Sequence, residues 1–352
     1  MTTTLTAPPR PRRARLPRPA LPAHRPERDA FREHLLASAW SGLSGGLVGL
    51  TDIILAKTLG APGWQITLLA TLAPAANLTS FWWAGQVDGR GKAGYFLLAA
   101  LFGRLPLLLV LAVGGPWTII ALNFVYAVAT ALLVTAVNAV LQRRYAEADR
   151  ARWFGWSVSA SALCSILAVQ SAGWLLQRRE DLYPWIYAVA GVAGLASSYH
   201  LFRMEAGGAA QRNVAAWLRG GWRSLGRRIR PEPRAGTPGW RASVRLFREI
   251  LRENPGFVRF ERSFMIYGFA FLSVVPVLPL YVVHELRMSY PQLSATKGIW
   301  SQIGLLLLSP VLGAWLGRVR PLLFAGRSFL LLSLYPGCLL VSTLPGTPAR
   351  IA

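Results

Sequence analysis

Nine apolar runs dominate this chain, six before residue 205 and three after residue 262. Each is close to the length, roughly 20 residues, at which an α-helix crosses a hydrocarbon layer ~30 Å thick. Backbone N–H and C=O groups in such a layer find no water, so each run has to satisfy them internally, as a helix. The expected fold class is therefore an all-α integral membrane protein. Composition agrees: 53% of the 352 residues are hydrophobic, only 15% are charged, and mean hydropathy is +0.37. The runs fall at about 35–57, 64–83, 95–113, 117–141, 153–176 and 185–202, then 264–283, 296–316 and 322–344.

Charge sets the expected orientation. Residues 205–262, between the two blocks, hold 13 arginines against five acidic residues. Of the 38 Lys and Arg, 31 fall on the side of that loop, six on the other side, and Arg104 inside a run. The positive-inside rule then puts the N-terminus and the loop in the cytoplasm. The formal charge of +23 is accounted for by this asymmetry, so nucleic acid is not an expected partner; anionic lipid headgroups are. Four regions follow: a disordered basic tail (1–34), a six-span bundle (35–204), a basic cytoplasmic loop (205–262) and a partial second bundle of three spans (263–352). Within the loop, Trp240–Arg252 places Val244, Phe247 and Leu251 on one face, as in a helix lying along a bilayer.

Polar residues inside apolar runs are the candidate functional groups. Asn123, Tyr126, Thr130 and Asn138 cluster on one side of the fourth run. They line a central cavity or form a seam between helices. Tyr267 and Gln302 are the corresponding candidates in the second block. On the first run, Ser38, Ser41, Gly45, Gly49 and Asp52 share a face whose small residues admit close approach. Ser157, Ser161 and Ser165 repeat at four residues, as in a packing seam. Pro74 marks a kink, while Pro276 and Pro279 interrupt the seventh run. Asp52 and Arg104 are ionisable groups within runs, and each needs a partner or water there. Three fates stay open for Asp52: a structural pair with Arg104, a proton carrier, or a hydrated carboxylate at the outer face.

The segment Ala84-Gly85-Gln86-Val87-Asp88-Gly89-Arg90-Gly91-Lys92, between the second and third runs, resembles the signature loop of the major facilitator superfamily, G-x-x-x-D-R-x-G-R/K. Asp88, Gly91 and Lys92 match it. Ala84 replaces the first Gly, and Gly89 takes the Arg position, with Arg90 one place later. A carboxylate at a helix end can meet neighbouring helix N-termini and arginines, which makes a latch between bundles. Arg143–Arg150 resembles the basic loop before the family's fifth helix. At the place of the second signature copy only Gly313 and Arg318 survive, and Gly317 stands at the Asp position.

What the resemblance implies is two six-helix bundles, each built of inverted triplets, that move a small solute by alternating access. The tenth to twelfth helices have no counterpart here, so one expectation is a truncated chain that transports poorly or not at all unless it dimerises or is completed, and the alternative is a genuine nine-span protein. Proton coupling and the cytoplasmic membrane of a bacterium belong to the same reading. A sensor or assembly factor that docks partners through the basic loop is the alternative. Enzyme signatures are missing, with no G-x-S-x-G, Walker, dinucleotide or HExxH pattern, and no cofactor is expected. Cys164, Cys338 and the four histidines show no metal-ligand spacing.

Overall fold

The computed structural model describes residues 25–87, 93–211, 248–249 and 251–316, with the single positions 326, 330 and 334. Asp88, Arg90, Gly91 and Lys92, most of the 205–262 stretch and of its expected surface helix, and all but three positions of the ninth run lie outside the described residues. Among the described residues all regular structure is helical. Four segments are long and apolar enough to cross a membrane: Glu27–Thr58, Ala93–Leu111, Pro116–Arg144 and Asp149–Arg178.

Helix α1 (Arg25–Val48) starts ahead of the expected 35. Ala30, Phe31, Glu33 and His34 are buried, so this part of the expected tail is packed helix. Partners explain it. Glu33 bridges His200 at 2.8 Å and Arg203 at 3.1 Å, and His34 Nδ1 meets the hydroxyls of Tyr145 at 3.2 Å and Ser157 at 3.0 Å. Past Val48 the chain turns, makes the short helix Thr51–Ile53 and widens into a π segment, Ile54–Thr58. Gly60, in the left-handed region at φ 58°, makes the tight turn that glycine permits. Then α2 (Gly63–Asn77) follows.

Prolines mark several of the helix interruptions, though not the break after Val48. Proline removes an N–H and its ring clashes with the carbonyl four residues back. Thus α2 ends just beyond Pro74, and α3 (Ser80–Val87) completes the second run. The third run opens as α4 (Ala93–Ala99), widens to π geometry at Ala100–Arg104 and tightens to 3₁₀ at Leu105–Leu111, around Pro106. Free of internal proline, α5 (Pro116–Arg144), α6 (Glu147–Arg178) and α7 (Tyr183–Gln211, Pro184 in its first turn) run unbroken. The second block comprises α8 (Pro255–Val274), α9 (Val277–Leu280), a π segment at Tyr281–Glu285, α10 (Tyr290–Ser294), a π segment at Ala295–Trp300, and α11 (Ser301–Leu316). Pro276 separates α8 from α9, as its position in the run predicts.

α1 packs along both α6 and α7, and α11 packs along α6. The α1–α6 crossing is set by small residues. A Cβ on Gly42 would lie 2.0 Å from the Ser161 carbonyl oxygen, and one on Gly46 2.8 Å from Ser165 Oγ. The serine seam therefore packs against Gly42 and Gly46. On the face of Gly45, Gly49 and Asp52, expected to be approached closely, no helix backbone comes near Gly45: the nearest neighbour of a Cβ there is the Tyr126 hydroxyl at 3.9 Å. Helical periodicity put these residues on one face correctly and assigned the tight contact to the wrong neighbouring face.

Large apolar side chains such as Trp64, Leu109, Phe269 and Leu307 are more than half exposed. In water so much apolar surface would drive aggregation; in a bilayer it is the lipid-facing side. Indole pairs mark both ends, Trp82–Trp83 at the proximal end, where Arg25 sits, and Trp64–Trp117 at the distal end. Both suit the headgroup level, where an amphipathic ring has one wet edge. At the proximal end Arg143 pairs with Glu205, and Arg144 Nη2 donates to the Glu205 carbonyl at 2.7 Å, tying the α5–α6 turn to α7.

A candidate solute cavity between the two blocks

The breaks in α1 and at Pro276 leave a cavity of about 360 Å³ between the blocks. Its wall includes Gly49, Thr51 and Asp52 after α1, Ala73 and Asn77 of α2, Asn123, Tyr126 and Thr130 of α5, and Pro276 and Pro279. The α5 residues are three and four apart and so share a face. Asn123 Nδ2 donates to the Ile119 carbonyl at 2.9 Å, and Thr130 Oγ1 to that of Tyr126 at 2.8 Å. These internal bonds satisfy polar groups in an apolar helix. Asn138, two turns past Thr130, is exposed and does not line this cavity. Tyr267 and Gln302 are half-buried and do not line it either.

Asp52 and Arg104 do not pair with one another. Asp52 makes its ion pair with Lys297, across the two blocks. The local backbone prepares this contact. In a regular helix the Ile53 N–H would bond the Gly49 carbonyl; here it donates to Asp52 Oδ1 at 2.9 Å. The Gly49 carbonyl accepts from Lys297 Nζ at 3.1 Å instead. One ammonium thus takes both a carboxylate and a carbonyl freed by the break in α1. Arg104 lies elsewhere, buried to 3% exposure. Its Nη2 donates to Thr130 Oγ1 at 3.1 Å, and its guanidinium carbon stands 3.8 Å from the centroid of the Tyr126 ring.

Further contacts close the distal end around the ion pair. Lys57 Nζ donates to the Met288 carbonyl at 2.8 Å and sits 4.7 Å from the Tyr290 ring centroid. The hydroxyls of Thr58 and Tyr290 bond, and the Tyr290 N–H donates to Gln177 Oε1 at 3.1 Å. Gly173 lies directly on Ser294, where a Cβ would come within 1.7 Å of Oγ. The far ends of α1 and α6 are therefore held by residues 288–298.

Lys297 is absent from the candidates drawn from hydropathy, which start the eighth run at Thr296 and leave this lysine at its mouth. A finer signal was present. Ser289-x-x-Gln292 is a capping box and Pro291 suits a first turn. The Ser289 N–H does donate to Gln292 Oε1, at 2.9 Å. A helix starting at Tyr290 carries Lys297 two turns inward, level with Asp52.

The family model described as Major Facilitator Superfamily matches residues 35–350. No curated protein matches the chain, and no solved structure does.

Proposed function

The chain belongs to the major facilitator superfamily, whose members carry small solutes across membranes and are not enzymes, and we propose that it works by alternating access through the cavity at Asp52, Asn77 and the α5 stripe. The observation that carries this reading is the ion pair that Asp52, on the cavity wall, makes with Lys297. It joins the two blocks at the end where they are closed, so opening that end has to break it. Separated, a carboxylate and an ammonium in a low-dielectric wall each need a new partner. A proton on Asp52 or a charged solute meets that need, which couples the opening to uptake of an ion. We read the transport as secondary active and proton-coupled, with Asp52 as the group that exchanges Lys297 for a proton.

Two measurements test this. The chain in proteoliposomes should accumulate a solute down an imposed proton gradient, and an uncoupler should abolish the accumulation. A single cysteine at Asn123 or Thr130 should be modified by a small maleimide, and the labelling should change several-fold when the gradient is imposed. Complete protection at both positions in every condition would make the α5 stripe a helix seam rather than a cavity wall.

The charge pattern supports an inside N-terminus in a cytoplasmic membrane, and the distal end is then the external one. A cysteine at Ser224 should resist an impermeant maleimide in sealed cells and react after lysis. Labelling in intact cells would reverse the orientation.

A further inference from the structure

Arg104 is a buried cation with no counter-ion among the described residues. Among the described residues its Nε and Nη1 have no hydrogen-bond partner, and the ion pairs formed there involve other residues. It is also tightly enclosed. A Cβ on Gly194 of α7 would fall 2.7 Å from Arg104 Cδ, and one on Gly191 3.0 Å from the Arg104 carbonyl oxygen. Glycine at both positions leaves room for the guanidinium. The hydroxyl of Ser44 on α1 faces the same space, also without a partner among the described residues. Such a charge is among the most costly groups a membrane protein can hold.

Its neighbours give it a use. Both side chains that Arg104 engages, Tyr126 by its ring and Thr130 by its hydroxyl, line the cavity. The guanidinium therefore stands one aromatic ring behind the wall. The other charges at the cavity are Asp52 and Lys297, which neutralise each other. With Arg104 the described charges about the cavity sum to +1. In a medium of low dielectric constant such a field extends over several ångströms and is little screened. A cationic solute would have to displace Lys297 from Asp52 against this field. A neutral solute would leave the cation uncompensated.

We propose that the transported solute is a small organic anion, a carboxylate in particular, and that Arg104 selects it by charge through the Tyr126 ring rather than by direct contact. This rests on the transport reading above and adds the substrate class. Arg104 is thus a specificity-determining residue that polarises the wall, with Tyr126 as the surface the solute meets.

The test uses the full chain in proteoliposomes, offered an equimolar mixture of small carboxylates, uncharged sugars, polyols and amides, and primary amines, with internal contents read by mass spectrometry. The expected result is accumulation confined to carboxylates. Arg104→Gln should lower that accumulation roughly tenfold or more, the scale of one unit charge acting across an aromatic ring at an effective dielectric constant of ~20, and Arg104→Lys should retain most of it. Accumulation of neutral solutes or amines by the unmodified chain would overturn the anion assignment and leave transport standing. Failure of every compound to accumulate would overturn the transport reading and this inference with it. Undiminished carboxylate uptake by Arg104→Gln would remove Arg104 from the account. If that variant does not fold, the selectivity of the unmodified chain decides.

Discussion

Reversing one charge of the Asp52–Lys297 pair should abolish transport, and reversing both should restore the folded protein. In Asp52→Lys two ammonium groups face each other across the blocks; at ~4 Å and an effective dielectric constant of ~20 their repulsion is about 4 kcal/mol. Neutral variants should cost less. The side chains of Asp52 and Lys297 are 22% and 32% exposed, so solvent screens the charge left behind, and Asp52→Asn or Lys297→Met should destabilise the closed state by about 1–3 kcal/mol. Because the pair bridges the two blocks at the closed distal end, neutral variants should open that end more readily and, on the proposed mechanism, lose coupling before they lose folding. The double variant Asp52→Lys/Lys297→Asp re-forms the pair with its polarity exchanged. Its melting temperature should return most of the way to that of the unmodified chain. A double variant no more stable than Asp52→Lys alone would show that the two residues do not meet.

The second large effect concerns the glycines, which separate backbone clashes from side-chain clashes. A Cβ on Gly103 would lie 2.1 Å from the Ala129 Cβ, whereas one on Gly42 would meet the Ser161 carbonyl oxygen at 2.0 Å. Either alanine forces helices apart, at about 3 kcal/mol, the upper end of the usual range for overpacking. Rescue should differ. Ala129→Gly removes the atom that Gly103→Ala strikes and should recover much of the loss. Ser161→Gly keeps the carbonyl that Gly42→Ala strikes and should recover little. Gly45→Ala serves as the control: its Cβ meets only the Tyr126 hydroxyl at 3.9 Å, so helix propensity should stabilise it by up to about 1 kcal/mol. Thermal unfolding in detergent reads all five variants. Equal losses for Gly45→Ala and Gly42→Ala would mean that α1 is rotated from the arrangement described.

Much of the fold and part of the candidate site were legible in the sequence. Pro74 and Pro276 announced helix interruptions, because a missing N–H and the ring clash act locally on the ladder. The α5 stripe from Asn123 to Thr130 was legible because residues three and four apart share a helical face in any context. The stripe was extended too far, to Asn138, since periodicity says which residues share a face and not where along that face a neighbouring helix or cavity stops. Glu33 and His34 fall at the end of a Pro- and Arg-rich tail whose composition argues for disorder. Their partners His200, Arg203, Tyr145 and Ser157 lie more than a hundred residues away, and only those contacts make burial favourable.

What the sequence determined by itself is the solvent this protein folds in and the side on which each polar residue of α5 stands. Run length against bilayer thickness dictates the first, and the 3.6-residue repeat the second; both are local. What only the tertiary structure decided is which partner each intramembrane charge has. Asp52 and Lys297 are 245 residues apart, and no local pattern relates them. Their meeting depends on the break in α1 that frees the Gly49 carbonyl and on the earlier start of α10 that carries Lys297 to its depth. Arg104 was placed by the same kind of contact. Gly191 and Gly194 leave room for it behind Tyr126, so its charge faces the cavity wall and not the carboxylate that hydropathy suggested as its mate.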